Sequence, residues 1–164
     1  FEFIGPTPID FDDHMHDGSC VWEDLCKFDL EKEIRDKKKK IGIIFNLDPH
    51  YKGGSHWVAM FINIKKKEVC YFDSYGETPP RRIKNLAMRI VRQSTRLPDD
   101  LKEYKNFKFI SCTKRHQYSN SECGVYSLYF IIQLLTDQKN SEYFSNNRIR
   151  DNFIKKFRNK YFNK

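Results

Sequence analysis

Along the chain the spacing of apolar residues changes period in an orderly way, and each change marks an element. From Phe28 to about Lys38, FDLEKEIRDKK has the composition and apolar spacing of a short surface helix, ending in bases that suit a helix C-terminus. The run IGIIFNL over Ile41 to Leu47 is apolar throughout and bounded by DPHYKGG, which reads as a buried strand followed by a loop. HWVAMFINI, a lysine-rich turn and EVCYFDSYG read as two antiparallel strands of one hairpin, the second ending near Asp73. PPRRIKNLAMRIVRQ from Pro79 opens with prolines a first helical turn accepts and repeats Ile83, Leu86, Ala87, Ile90 and Val91 on one face, an amphipathic helix. A strand NFKFISCT from Asn106 then leads through the polar loop KRHQYSNSE into CGVYSLYFIIQLL, a helix apolar nearly all round that belongs in the core. A last amphipathic helix is predicted from about Asn147 to Tyr161. The expected fold is therefore α+β: a mixed, mainly antiparallel central sheet flanked by helices, with Cys123 at the N-terminus of a buried helix.

This order places chemistry at predictable points. A cysteine in the first turn of a buried helix meets free backbone N–H groups and the positive end of the helix dipole, both of which favour a thiolate. Gly124 beside it lets a substrate carbonyl approach the main chain, and Gln117, six residues before Cys123, offers an amide donor for an oxyanion. A nucleophile needs a base. His56 stands at a loop-to-strand junction, and Asp73 ends the neighbouring strand, so the antiparallel hairpin brings the two together and the carboxylate can orient the imidazole. His116, in the Cys123 loop, stays as a rival base; His50, His14 and His16 fit less well. Each residue also has a plainer reading: buried cysteine is common, Asp73 is equally a turn aspartate, and Trp57 is equally a sheet-packing aromatic.

The combination of His56-Trp57, Asp73 in YFDS, Gln117 and the block Glu122-Cys123-Gly124 resembles the family of SUMO-specific (ubiquitin-like-protein) proteases and the adenovirus protease. Their order of His, Asp, Gln and Cys is the order here, unlike papain, whose cysteine comes first. HWVAMF, YFDSYGETPP and RHQYSNSECGVYSLYF are more similar still to blocks of the African swine fever virus polyprotein protease and its relatives in large DNA viruses, across about Phe45 to Phe130. One departure is Asp73 itself, where the swine fever enzyme carries Asn. The resemblance implies a thiol endopeptidase cutting after Gly-Gly, with Cys123, His56, Asp73 and Gln117 catalytic and Trp57 and Gly124 against the substrate. It implies a protein substrate, either a viral polyprotein cut during particle maturation or a ubiquitin-like modifier, and no cofactor. By the same likeness the site is a host cytoplasm or a virion.

Length and composition narrow the alternatives. A chain of 164 residues is one domain's worth, read as a single catalytic domain over 1–164, and Phe1 in place of Met suggests a fragment or processed product. No apolar run reaches the length of a membrane span, so a soluble domain is expected. Five cysteines, Cys20, Cys26, Cys70, Cys112 and Cys123, form an odd set without paired spacing, which predicts a reducing compartment. A net charge of +8 fits weak nucleic-acid binding through a basic surface, although no nucleic-acid motif is present and a solvated basic surface accounts for it equally. A basic nucleic-acid-binding protein without peptidase activity and an acyltransferase built on the same triad are the other classes considered. His14, His16, Cys20 and Cys26 supply zinc-type ligands, but H-x-H-x3-C-x5-C is no standard finger spacing, so no metal is expected.

Overall fold

The computed structural model describes residues 1–162. Its five strands are β1 (Glu2–Pro8), β2 (Lys40–Asn46), β3 (Trp57–Asn63), β4 (Glu68–Phe72) and β5 (Lys108–Cys112), in the spatial order β1-β2-β3-β4-β5. The central pairings, β2 with β3 and β3 with β4, are antiparallel, while β1 and β5 join the edges in parallel, so the sheet is mixed with its antiparallel part in the middle. Among the described residues, six α-helices accompany it, α1 (Glu23–Cys26), α2 (Leu30–Arg35), α3 (Arg81–Thr95), α4 (Cys123–Leu135), α5 (Ser141–Asn146) and α6 (Asp151–Tyr161), with a 3-10 helix over Asp99–Tyr104.

Helices on both faces explain why the central strands are apolar at every position rather than at alternate ones. Ile41, Ile43 and Phe45 of β2, Val58, Met60 and Ile62 of β3, and Val69 and Tyr71 of β4 point to one side, where α2 and α3 cover them with Leu30, Ile34, Ile83, Leu86 and Ile90. The residues between them, Ile44, Ala59, Phe61, Cys70 and Phe72, face the opposite core, which α4 fills with Val125, Tyr126, Tyr129 and Phe130. Phe72 stacks on Phe130 with ring centroids 4.7 Å apart. The predicted all-round apolar helix is thus a layer packed between the sheet and α6.

Several short elements escaped the sequence pattern. β1 carries Gly5-Pro6 in its middle and bulges between Ile4 and Thr7, which breaks any alternation and suits an edge strand. α1 is a single turn and α5 has only two buried residues, too few to show a period. The helix expected from Phe28 to about Lys38 is shorter, and the lysines from Lys37 to Lys40 lie beyond it. α2 stops at Arg35, and Lys40 enters β2, from which its ammonium donates to the carbonyls of Leu134 and Leu135 at 3.1 and 2.8 Å. That lysine therefore caps the C-terminus of α4, where cations are favoured. The expected odd cysteine set is also corrected: Cys20 and Cys26 are joined by a disulfide, leaving Cys70, Cys112 and Cys123 free.

Candidate active site

The loop from β2 to β3 must reverse direction and deliver His56 just ahead of β3. Gly54 makes this possible, with φ +97°, because a side chain there would press on the Asn46 amide and the Trp57 ring at 3.2–3.3 Å. The reversal closes when the Leu47 N–H donates to the His56 carbonyl at 2.9 Å. At the same end of the sheet, β4 finishes with Phe72 opposite Ala59, so Asp73 emerges beside His56. The ring Nε2–H of His56 donates to Asp73 Oδ1 at 2.8 Å, and the Tyr75 N–H donates to that same oxygen at 2.9 Å. Asp73 is almost wholly buried, so its carboxylate is held by partners rather than by water.

Tyr75 also stacks on the His56 imidazole, with centroids 4.8 Å apart and an interplanar angle of 27°. The sequence pattern held no sign of this ring; a tyrosine two residues after Asp73 is the feature that could have shown it. Just beyond it, Gly76 adopts φ +78° where a Cβ would lie 2.7 Å from the Thr113 carbonyl, so only glycine lets this turn meet the loop of residues 113–122. Ser74 then grips that loop. Its carbonyl accepts from the His116 and Gln117 N–H groups at 2.9 and 2.8 Å, and its hydroxyl donates to Gln117 Oε1 at 2.7 Å. Gln117 is fully buried; its amide nitrogen donates to the Ser119 carbonyl at 2.8 Å, with the Tyr75 hydroxyl a looser neighbour at 3.5 Å. One amide hydrogen is thereby committed and the other only weakly held.

Cys123 opens α4, and that helix is tied to β3 where the Ser127 hydroxyl donates to the Trp57 carbonyl at 3.2 Å. The bond fixes the distance between the head of the helix and the start of the strand. Glu122, buried immediately before Cys123, is held by Arg158 of α6 at 3.2 Å, which anchors the other side of the loop. The groups that act on the Cys123 thiol are the His56 imidazole and the N–H groups of Trp57 and Gly124. Burial alone would push the Cys123 thiol up, but the hydrogen bond and charge of His56 and those two N–H groups outweigh it and draw the thiol below its ordinary value. For His56, burial works against the imidazolium, yet the bonds and charges of Asp73 and Cys123 prevail and push it up to about 9. Both shifts favour the same state, thiolate beside imidazolium. Cys70 and Cys112 are buried and their thiols are pushed up, chiefly by desolvation, so Cys123 is the free cysteine poised for reaction.

The rival base does not serve. His116 is fully buried; its Nε2–H donates to the Phe144 carbonyl at 3.0 Å and its Nδ1 accepts from the Ile149 N–H at 3.1 Å. It is a neutral strut between the loop of residues 113–122 and the α5–α6 segment, and desolvation holds its pKa down to about 4. The unfolded chain takes up a proton near pH 6.5 that the fold refuses. Stability contributed by neutral His116 is therefore full above that pH and lost as pH falls toward about 4, on the order of 3 kcal/mol in all. Urea denaturation at a series of pH values should show a shallower acid loss for His116→Gln than for the parent chain.

His50 pairs with Asp10 at 2.7 Å, away from this constellation, and His14 lies beside Cys20 while His16 stands outside that group. Trp57, half-buried, packs on the second core and also edges an open groove of about 510 Å³. Asn46, Pro49 and His50 line one part of this groove, and Met15, Cys20 and Trp22 another. A Cβ added at Gly124 would meet nothing within 4 Å, so the space beside the backbone that follows Cys123 is open.

Comparison with known proteins is consistent with this geometry. Residues 21–164 match the Ulp1 protease family, C-terminal catalytic domain. A protein of Acanthamoeba polyphaga mimivirus, named as a thiol protease, is 33% identical over 99% of this chain and 50% of its own length. A SUMO-1 cysteine protease of African swine fever virus is 32% identical over 80% of this chain and 46% of its own. The crystal structure of the African swine fever virus protease superposes with a TM-score of 0.62 at 33% identity, covering 73% of this chain and 43% of that one. The Chlamydia abortus effector ChlaDUB, 16% identical with a TM-score of 0.53 over 75% of this chain and 56% of its own, shares the fold. The chain spans about half the length of the curated relatives it matches.

Proposed function

Since the chain belongs to the Ulp1 protease family, a family of cysteine peptidases, we propose that it is a catalytic domain cutting protein substrates after Gly-Gly, with Cys123, His56, Asp73 and Gln117 as its machinery. The observation that carries this reading is the relay in which buried Asp73 holds His56 at 2.8 Å while His56 draws down the thiol of Cys123. The thiolate attacks the carbonyl carbon of the second glycine, forming a carbon–sulfur bond. As the tetrahedral intermediate collapses, the carbon–nitrogen bond breaks and His56 gives its proton to the departing amine. Water then attacks the thioester, with His56 taking its proton, and the product leaves as a carboxylic acid while the thiolate returns.

The oxyanion of each intermediate is held by main-chain N–H groups at the head of α4, which have no acceptor within the helix, and by the weakly held amide hydrogen of Gln117. Gln117→Ala should lower kcat by an amount equivalent to about 2–4 kcal/mol of barrier with little change in KM. The same change removes buried hydrogen bonds, so the rate is to be read below the variant's own melting temperature; an unaltered kcat there takes Gln117 out of the mechanism.

Trp57 supports the specificity. An indole following the catalytic histidine, with open space over Gly124, leaves a passage that glycines traverse and larger residues do not, so selection comes from steric rejection. Cleavage of a Gly-Gly-Xaa peptide set beside Ala-Gly and Gly-Ala controls tests this, and equal rates across the three overturn it.

The relatives' viral origin favours processing of a viral polyprotein, in the host cytoplasm or the virion. The name of the swine fever relative supports a second reading, release of a ubiquitin-like modifier. SUMO- and ubiquitin-based probes in the same profile separate the two. The net charge of +8 supports weak, salt-sensitive association with nucleic acid as an accessory property.

A further inference from the structure

The amino-terminal segment holds a cluster of ligand-type side chains that the peptidase chemistry leaves unused. Residues 13–21 form a small hairpin in which His14 and Cys20 pair across the strands. The Met15 N–H donates to the Ser19 carbonyl at 2.7 Å, the Val21 N–H donates to the Asp13 carbonyl at 2.9 Å, and Asp17 accepts from the Ser19 N–H and hydroxyl at 2.9 and 2.6 Å. The chain then turns through α1, whose last residue, Cys26, returns its sulfur to Cys20 as the disulfide.

Two independent anchors keep these groups together. Arg82 of α3 pairs with Asp12 and Asp13 at the base of the hairpin, and Arg89 of α3 donates to the carbonyls of Leu25 and Cys26 at the end of α1. Leu25 itself is fully buried. Both cysteine-bearing segments are therefore fastened to the same helix by contacts other than the sulfur–sulfur bond. His14 Nε2 lies 4.0 Å from Cys20 Sγ, and the ligand atoms of His14, Cys20 and Cys26 all fall within 4.8 Å of one another.

Two thiolates and one imidazole are a donor set suited to zinc, with a fourth tetrahedral position left for water. The spacing matches no standard finger because the third ligand comes from α1 rather than from a second knuckle. We propose that His14, Cys20 and Cys26 form a redox-gated zinc site, closed as a disulfide and able to bind one ion once reduced. A thiol or phosphine reductant breaks the Cys20–Cys26 bond, is itself oxidised, and leaves two protein thiols; zinc binding then displaces their two protons to solvent while the His14 imidazole supplies a lone pair. Cys20 lines the groove that Trp57 edges, so the exchange between bridge and ion takes place in the wall of that groove.

The test uses cobalt(II) as a spectroscopic stand-in on the Cys123→Ser chain, which removes the competing active-site thiolate. After phosphine reduction without oxygen, one equivalent of cobalt per chain should give a thiolate-to-cobalt charge-transfer band and tetrahedral d–d bands, both bleached by zinc. Cys20→Ser and Cys26→Ser should lose the bands. His14→Ala, at an exposed position that does not threaten the fold, should weaken binding at least about tenfold. Protein not treated with reductant should take up none. The proposal is overturned if the reduced chain shows no such band, if the band survives Cys20→Ser, if His14→Ala binds as tightly as the parent, or if the bridge resists reduction. None of these outcomes bears on whether Cys123 cleaves a Gly-Gly peptide.

Discussion

Cys123→Ala is expected to abolish turnover of a Gly-Gly-Xaa peptide, by on the order of a million-fold, with its thermal melting close to that of the parent chain. The loss is large because in the proposed mechanism the Cys123 sulfur forms the bond and no neighbour can replace it: Cys70 and Cys112 are buried on the sheet side with thiols pushed up, and Cys20 and Cys26 are bridged. The effect on folding is small because Cys123 is only half-buried at the mouth of the site, so removing its sulfur leaves no sealed cavity. Residual activity of a per cent or more would move the nucleophile elsewhere.

The second large effect concerns the base. His56→Ala should lower kcat/KM at least about a thousandfold, because it removes both the proton donor for the leaving amine and the partner that draws down the Cys123 thiol. Asp73→Asn should cost less, since an asparagine oxygen can still accept from His56 Nε2–H and the thiolate–imidazolium pair keeps its other member. Its signature lies in pH dependence. His56 keeps its proton up to about 9 partly through the charge of Asp73. Asparagine withdraws that charge, so the alkaline limb of the rate profile should move to lower pH while the plateau falls only modestly. A profile with an unshifted alkaline limb would mean that Asp73 does not act on His56. The same linkage gives the sign for stability. His56 protonation contributes stability that is full below its unfolded value near 6.5 and is lost as pH rises through about 9.

The pairing of His56 with Asp73 and the placement of Cys123 at the head of α4 were legible before any coordinates, and the reason is physical. β2, β3 and β4 are central strands covered on both faces, so their apolar runs are long and their ends sharp. A hairpin with sharp ends places the residue before one strand beside the residue after the next, which is how His56 and Asp73 could be paired from spacing alone. Cys123 was legible because a polar loop gives way abruptly to an all-apolar helix. Interactions that depend on shape across the chain were not legible. Tyr75 stacks on His56, Glu122 meets Arg158 and Ser74 grips Gln117, and none of these contacts has a period or a motif behind it. His116 shows the limit from the other side: lying in the catalytic loop made it look available, and only its two buried hydrogen bonds reveal a strut. The amino-terminal cluster failed for a related reason. Its ligands converge through a hairpin and a one-turn helix held by Arg82 and Arg89, and residue spacing along the chain carries no trace of those anchors.

The coupling of the Cys123 sulfur to the His56 imidazole is tested most directly by the rate at which iodoacetamide alkylates Cys123 as a function of pH, in the parent chain and in His56→Ala. The parent should label at Cys123 first and stay reactive below the ordinary thiol value of about 8.5, whereas in His56→Ala the reactivity should retreat toward that value. Identical profiles in the two proteins, both following an ordinary thiol, would contradict the coupling.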